Sequence, residues 1–389
     1  MLNSNRFQAS VAIVYASFYR QKKHMFFFQI ISSLTYDLSY IVLFSCIKYG
    51  DFPLKQYFCI FACPRARAVV FMYIFGIILI DKVDRKNVMT ERTRVLAAYN
   101  LKGGSSKTTS ITSLAYVLGN LGKKILLIDF DPQANASENL GFDINSEFVC
   151  FGHLIEDYAT IGSIAGLDEL VSLIQQPTYL KNVQQKGRFG YQEKEIPFPF
   201  YVLPISRASK TMIRLENSLV PSRNFVHKHS EQVAFYLLKP FIKMLKEKLD
   251  FDYILIDTNP SLSLLSMNAI ISSDYLIMPT FLGNEGVAGA SAVYEIIEEV
   301  QLNAPDFVNL GIVIQRYNPR RNLDKFLCEE LEESDIPIFK TRIPDAFNRV
   351  NDATARGKLI VQVDKKIEKA YEDLAKEIME RIKTIEDER

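Results

Sequence analysis

Lys102-Gly103-Gly104-Ser105-Ser106-Lys107-Thr108-Thr109 puts two lysines, two glycines and four hydroxyls into eight consecutive residues. When such a loop follows a strand and opens a helix, its backbone N–H groups turn toward an anion and the helix adds its positive N-terminus. Lys107 then reaches outer phosphates, and the Thr108 hydroxyl can hold Mg²⁺. The general P-loop spacing G-x-x-x-x-G-K-[ST] fails, because Leu101 and Ser106 stand at its two glycine positions. The variant K-G-G-x-x-K-[ST]-[ST] fits throughout and adds a second lysine, Lys102. Acids stand at two other strand ends. Ile125 to Ile128 runs into Asp129-Phe130-Asp131, and Phe251 to Ile256 runs into Asp257. Asp257 has the Walker B form, a carboxylate at the sheet's C-terminal edge beside Mg²⁺. Asp129 and Asp131, two apart before Pro132, suit either that chemistry or the capping of a turn.

The elements that must position these residues are legible nearby. Val95 to Tyr99 is a short apolar run, long enough for one buried strand. Leu114, Val117, Leu118 and Leu121 recur at helical spacing, and Gly122 ends that helix. Strand and helix patterns then alternate, which predicts an α/β fold: a mostly parallel twisted sheet with helices on both faces. Further strands are expected at Tyr201 to Pro204, Tyr275 to Met278 and Leu310 to Ile314. Helices are expected from Ile164 to Ile174, from near Leu262, and from Gly286 to Val300. A long helix is expected from Ser230 to Leu249, kinked at Pro240. A final helix carries Ile367, Ala370, Tyr371, Leu374, Ile378 and Ile382 on one face.

KGGSSKTT, LLIDFDPQANAS and FDYILIDTNPSLSLLSMNA together resemble the three signature blocks of ParA/Soj-type partition ATPases, P-loop NTPases of the MinD/ParA superfamily with a deviant Walker A motif. The resemblance runs from about Arg92 to the last residues. This sequence departs from the pattern at Ser106, where glycine is usual, and at Asn259, where proline is common. The resemblance implies ATP and Mg²⁺ as ligands, with Gly103, Gly104, Ser105, Ser106, Lys107, Thr108 and Thr109 around the phosphates. It implies that Lys102 reaches across a dimer interface to the partner's nucleotide. Asp131 would position the attacking water, with Lys102 and Lys107 as its catalytic companions. Thr108, Asp129 and Asp257 would form the Mg²⁺ shell. Adenine would lie between the loop after the Leu310 strand, where Arg316 or Asn318 could contribute, and the segment around Pro344. It further implies an ATP-state homodimer, non-specific DNA binding, a centromere-binding adaptor of the ParB type, and a cytoplasmic, nucleoid-associated location. Arg316, Arg320, Arg321, Lys340, Arg342, Arg349, Arg356 and Lys358 are the candidate DNA contacts.

Bulk properties narrow the choice. The chain has 389 residues and a net charge of +1, so any DNA surface is a local patch rather than a global basic field. Five cysteines form no disulfide or metal framework. Cys150 and Cys328 do not sit in matching motifs, which disfavours an iron–sulfur reductase on a related fold. Two other rivals remain: a MinD-like membrane-positioning ATPase and a non-hydrolysing, nucleotide-gated DNA-binding regulator. Residues 1 to 88 are rich in Phe, Tyr, Ile and Cys and do not resemble the rest. Their uninterrupted apolar runs, in Met25 to Ile47 and Ala68 to Ile80, fall short of the roughly 18 to 20 residues that span a bilayer. Either they form a membrane-associating extension, or translation begins at Met89 and residues 89–389 are the ATPase domain. The second is favoured, because Met89 to Arg94 leads into the first strand as a compact start would; membrane binding is then not expected.

Overall fold

The computed structural model describes residues 12–21, 24–32, 41–46, 56–61, 93–162, 164–184, 191–219, 235–281, 283 and 286–388. The chain divides into two compact units, Met1–Thr90 and Glu91–Arg389. In the first, β1 (Ala12–Gln21) pairs antiparallel with β2 (His24–Ser32), and β3 (Ile41–Cys46) pairs antiparallel with β4 (Gln56–Phe61). The apolar run Ala68 to Ile80 and the Met89 question lie outside the described residues.

The second unit opens with β5 (Arg94–Ala98), α1 (Lys107–Asn120) and β6 (Ile125–Phe130). Short α2 (Asn135–Asn139), α3 (Phe151–Ile161) and α4 (Leu167–Ser172) follow. The helix expected from Ile164 to Ile174 thus forms only over its middle. An antiparallel hairpin of β7 (Thr178–Gln184) and β8 (Tyr191–Pro197) then leads to β9 (Tyr201–Leu203). That hairpin falls in a stretch whose polar composition carries no strand signal. Next come α5 (Thr211–Leu219) and α6 (Lys239–Lys248). No kink occurs at Pro240. The helix starts one residue earlier, so Pro240 sits in the first turn, where its missing N–H has no helical partner to lose. Residues 220–234 lie outside the described residues. The unit closes with β10 (Tyr253–Thr258), α7 (Leu264–Ser272), β11 (Tyr275–Phe281), α8 (Gly286–Asn303), β12 (Val308–Gln315), α9 (Asn322–Glu332), α10 (Phe347–Thr354), α11 (Ile360–Val363) and α12 (Lys365–Asp387).

Six strands form one sheet in the order β12-β11-β5-β10-β6-β9, and every pairing is parallel. The helical cover on both faces explains why β6 and β10 read as unbroken apolar runs. Alternate residues feed two cores. Val95, Ile128, Ile254 and Met278 pack with Phe151, Phe241, Ile270 and Ile297. Leu96, Leu127, Leu255 and Ile277 pack with Leu114, Tyr371, Leu374 and Ile378. The apolar face of α12 is therefore spent on the sheet, and Asp364 caps the helix by accepting the Lys366 and Ile367 N–H groups. Among the described residues, no helix is long and apolar enough to cross a membrane.

β12 carries a register shift beside β11, between the pairs Leu276–Asn309 and Ile277–Gly311. Gly311 has φ +115°, and a Cβ there would lie 2.2 Å from the Pro337 carbonyl oxygen. Backbone cannot step aside as a flexible side chain can. Gly311→Ala is expected to lower stability by about 3 kcal/mol, combining overpacking with a disfavoured φ; chemical denaturation measures it, and an unchanged midpoint refutes the contact.

Candidate active site

The eight-residue loop begins just past the C-terminal end of β5 and ends on the first turn of α1. Two left-handed residues shape it, Gly104 at φ +73° and Ser106 at φ +70°. Glycine adopts that conformation freely, whereas serine does so at a cost. Ser106 is also the N-cap residue of α1, yet its side chain caps nothing. The first N–H groups of α1 thus have no side-chain cap, an arrangement suited to an anion. Lys107 is buried, and its ammonium folds back to donate to the carbonyls of Asn100 (2.9 Å) and Lys102 (3.3 Å). Burial lowers its pKa, while the charges of Asp257 and Asp131 pull it up.

Parallel register sets the acids. Asp129 and Asp257 share one rung of the β6–β10 ladder, and Ala98 of β5 is on the same rung. Asp129 is wholly buried; its Oδ2 accepts from the Ser137 amide (2.8 Å) and hydroxyl (2.6 Å). Its Oδ1 accepts from the Asp131 amide (3.2 Å). Burial pushes its pKa up to about 6, with Ser137 working against the shift and the Asp131 charge adding to it. Asp257 is also wholly buried, but neither of its carboxylate oxygens has a hydrogen-bond partner in the described residues. Burial and then the charges of Asp129 and Asp131 raise its pKa strongly. Asp131 accepts from the Gln133 amide (2.9 Å) and, at 3.4 Å, from the Asn135 side chain. Burial raises its pKa first, and the Glu216 charge adds to that.

A cavity of about 590 Å³ opens beside the loop. Gly104, Ser105, Ser106, Lys107, Thr108 and Thr109 form one wall, with Asp131 and Thr258 at its floor. The opposite wall holds Pro344, Phe347 and Val350. Arg316 closes one side in a left-handed conformation (φ +56°), its guanidinium 4.3 Å from the Phe347 ring centre. It also donates to the Gly104 carbonyl at 3.2 Å. Asn318 does not line the cavity. Its amide donates to Asp324, and its side chain accepts the Arg320 amide, so it serves the turn before α9. Lys102 lies elsewhere, exposed on the lining of a separate cavity of about 400 Å³ with Asn100, Thr280 and Phe281.

Gln315, Tyr371 and Phe347 also line the cavity, and no motif in the sequence marks them. Gln315 is buried with its Nε2 unpartnered among the described residues, while its Oε1 accepts from the Tyr371 hydroxyl at 3.3 Å. Tyr371 read as one more apolar residue of the last helix; only the packing of α12 beside α1 brings it to the cavity. Of the candidate DNA contacts, Arg342 pairs with Glu332 and Arg349 with Asp364. Arg320, Arg321, Lys340 and Arg356 are exposed.

Comparison with known proteins agrees with this geometry. A family model described as an AAA domain matches residues 93–310, and one described as VirC1 protein matches residues 243–386. The sporulation initiation inhibitor protein Soj of Bacillus subtilis is 29% identical over 290 residues, which is 73% of this chain and 98% of Soj. The chromosome partitioning protein ParA of Caulobacter vibrioides is 26% identical, covering 74% of this chain and 94% of that one. Among solved structures, the septum site-determining protein MinD of Pyrococcus horikoshii, complexed with Mg-ADP, superposes with a TM-score of 0.51 at 23% identity. That match covers 74% of this chain and 96% of MinD, and it shows a shared fold.

The left-handed Ser106 makes one expectation quantitative. Ser106→Gly should raise stability by about 1 kcal/mol by removing the penalty on an L-residue at positive φ. Denaturant unfolding measures it, and a loss of stability would mean that Ser106 is not held in that conformation.

Proposed function

The chain belongs to the ParA/Soj-type partition ATPases of the MinD/ParA family, and from that premise we propose that it segregates plasmid or chromosome copies by cycling between a monomer and an ATP-bound dimer. ATP with Mg²⁺ is its nucleotide and metal. The observation that carries the reading is Asp257: a wholly buried carboxylate whose oxygens accept no well-formed hydrogen bond among the described residues, on one rung with Asp129 and facing the Thr108 hydroxyl and the Lys107 ammonium. A buried charge left in that state is costly, and a cation relieves it. The site suits Mg²⁺, which keeps several waters and takes few carboxylates. When bound, the ion neutralises developing charge on the transferring phosphoryl group.

The residues divide the work as follows. Gly103 to Thr109 cradle the phosphates through backbone N–H groups and the α1 N-terminus. Lys107, released from the Asn100 and Lys102 carbonyls, pairs with the outer phosphates. Thr108 and Asp257 would hold the metal. Asp129 contributes from beneath, because its oxygens already hold Ser137 and the Asp131 amide. Asp131 orients the attacking water. Positioning and charge stabilisation suffice for slow phosphoryl transfer. Pro344, Phe347 and Arg316 flank the base. Lys102 lies off the cavity lined by Lys107, and this supports its reach to a partner's nucleotide. Nucleotide binding and dimerisation are then one equilibrium.

The dimer joins two basic half-patches into a DNA surface, and a ParB-type adaptor stimulates hydrolysis. Phosphate contacts alone give weak, salt-sensitive binding, with Kd on the order of 10⁻⁴ to 10⁻⁶ M. The protein works on the nucleoid in the cytoplasm. A membrane-positioning role is disfavoured, since α12 buries Ile367, Leu374, Ile378 and Ile382 rather than presenting them to lipid.

Three outcomes are expected. Asp131→Ala keeps Mg-ATP binding in calorimetry but loses turnover by about 100-fold or more, the scale of a lost positioning group; wild-type turnover would remove Asp131 from the mechanism. Lys102→Ala keeps nucleotide binding but stays monomeric in sedimentation with Mg-ATP; normal dimerisation would end the cross-interface role. DNA affinity rises with ATP and falls steeply between 50 and 200 mM salt, on the order of 10³-fold or more; affinity indifferent to ATP rejects the joined patch.

A further inference from the structure

The loop carrying Asp131 and the loop following Asp257 are both held from one segment, residues 206–219. Arg207 donates from Nε (3.1 Å) and Nη2 (2.6 Å) to the Gln133 carbonyl. Its Nη2 also reaches Glu138 at 3.4 Å. Gln133 in turn gives its amide to Asp131. Nine residues further on, Glu216 of α5 accepts from the Asn259 side chain at 3.4 Å. Asn259 is buried, and its Oδ1 accepts from the Ser266 hydroxyl on α7. Asn259 stands where the ParA-type pattern commonly has proline, which has no side-chain donor.

The segment itself is firmly anchored. Arg214 makes a two-pronged pair with Glu156 of α3, both bonds 3.0 Å. Such forked pairs fix geometry as well as charge. Ser206 donates to the Ser146 carbonyl at 2.7 Å, and the Ala208 amide to that of Ile144 at 3.0 Å.

We infer that Arg207 and Glu216 are positioning residues that brace the Asp131 loop and the loop after Asp257 against one rigid segment, so that the two loops shift together. Arg207 acts on Asp131 through Gln133, and Glu216 acts on the Walker B loop through Asn259. Neither touches the phosphate site. This rests on the reading of Asp131 as the water-orienting group.

The test uses full-length protein, measuring ATP turnover alongside Mg-ATP affinity. Arg207→Ala and Glu216→Ala should each lower kcat by about tenfold, since small misplacements are costly, with affinity held within about twofold. Arg207→Lys and Glu216→Gln, which keep a donor and an acceptor, should recover most of the rate. Because the loops are coupled, the double alanine variant should be little worse than either single one. Wild-type kcat in both single variants, affinity falling in step with kcat, or multiplying effects would each overturn the brace. Asp131→Ala is run alongside. If it keeps turnover, the underlying reading falls and the brace with it; if it is inactive while Arg207→Ala is normal, the brace alone is wrong. Should Arg207→Ala not fold, amide exchange over residues 131–138 in Arg207→Met, which keeps the apolar stem but no donor for the Gln133 carbonyl, decides: faster exchange than in the parent supports the brace, and an unchanged rate refutes it.

Discussion

Three carboxylates and one ammonium crowd the C-terminal edge of the sheet: Asp129, Asp131 and Asp257 against Lys107. Two of the acids share a rung by strand register, so neither can move away without breaking the ladder. Asp129 is neutralised in part by hydrogen bonds from Ser137; Asp257 is not. On the function proposed above, a cation would satisfy that imbalance, and phosphates would compete with the Asn100 and Lys102 carbonyls for Lys107.

Everything around that edge serves to hold it. The all-parallel sheet is buried on both faces, so its strand ends are fixed from above and below. Crossing from β5 to β6 over the intervening β10 opens a switch point at the strand C-termini, where ligands bind in α/β sheets. The loop then needs φ > 0 twice. Gly104 meets the demand without strain, and Ser106 meets it with strain. Strain at such a place is characteristic of sites held by their surroundings. Here the surroundings are the α1–α12 packing on one face and the 206–219 segment on the other.

Two side chains take on meaning only in this setting. Asn259 in place of proline becomes a link between α5 and α7. Arg316, on the loop after β12, stacks on Phe347 and donates to the Gly104 carbonyl, tying the glycine-bearing loop to the start of α10.

Local signals determined the phosphate loop, the strand-end acids and the parallel α/β class, because each rests on short spacings: a glycine pair before Lys107, apolar runs ending in Asp, helical periodicity between them. Pro240 was legible as a helix punctuator, yet its sense was not. A proline kinks a helix or starts one depending on where the preceding turn begins, and only packing sets that point. The β7–β8 hairpin, the cavity wall made by Gln315, Phe347 and Tyr371, and the Arg207–Gln133 and Glu216–Asn259 ties were decided by tertiary structure. The hairpin is local but its polar strands carry no marking alternation; the partners of the side-chain ties lie tens of residues apart, and no periodicity records which distant carbonyl or amide a side chain will meet once the sheet closes.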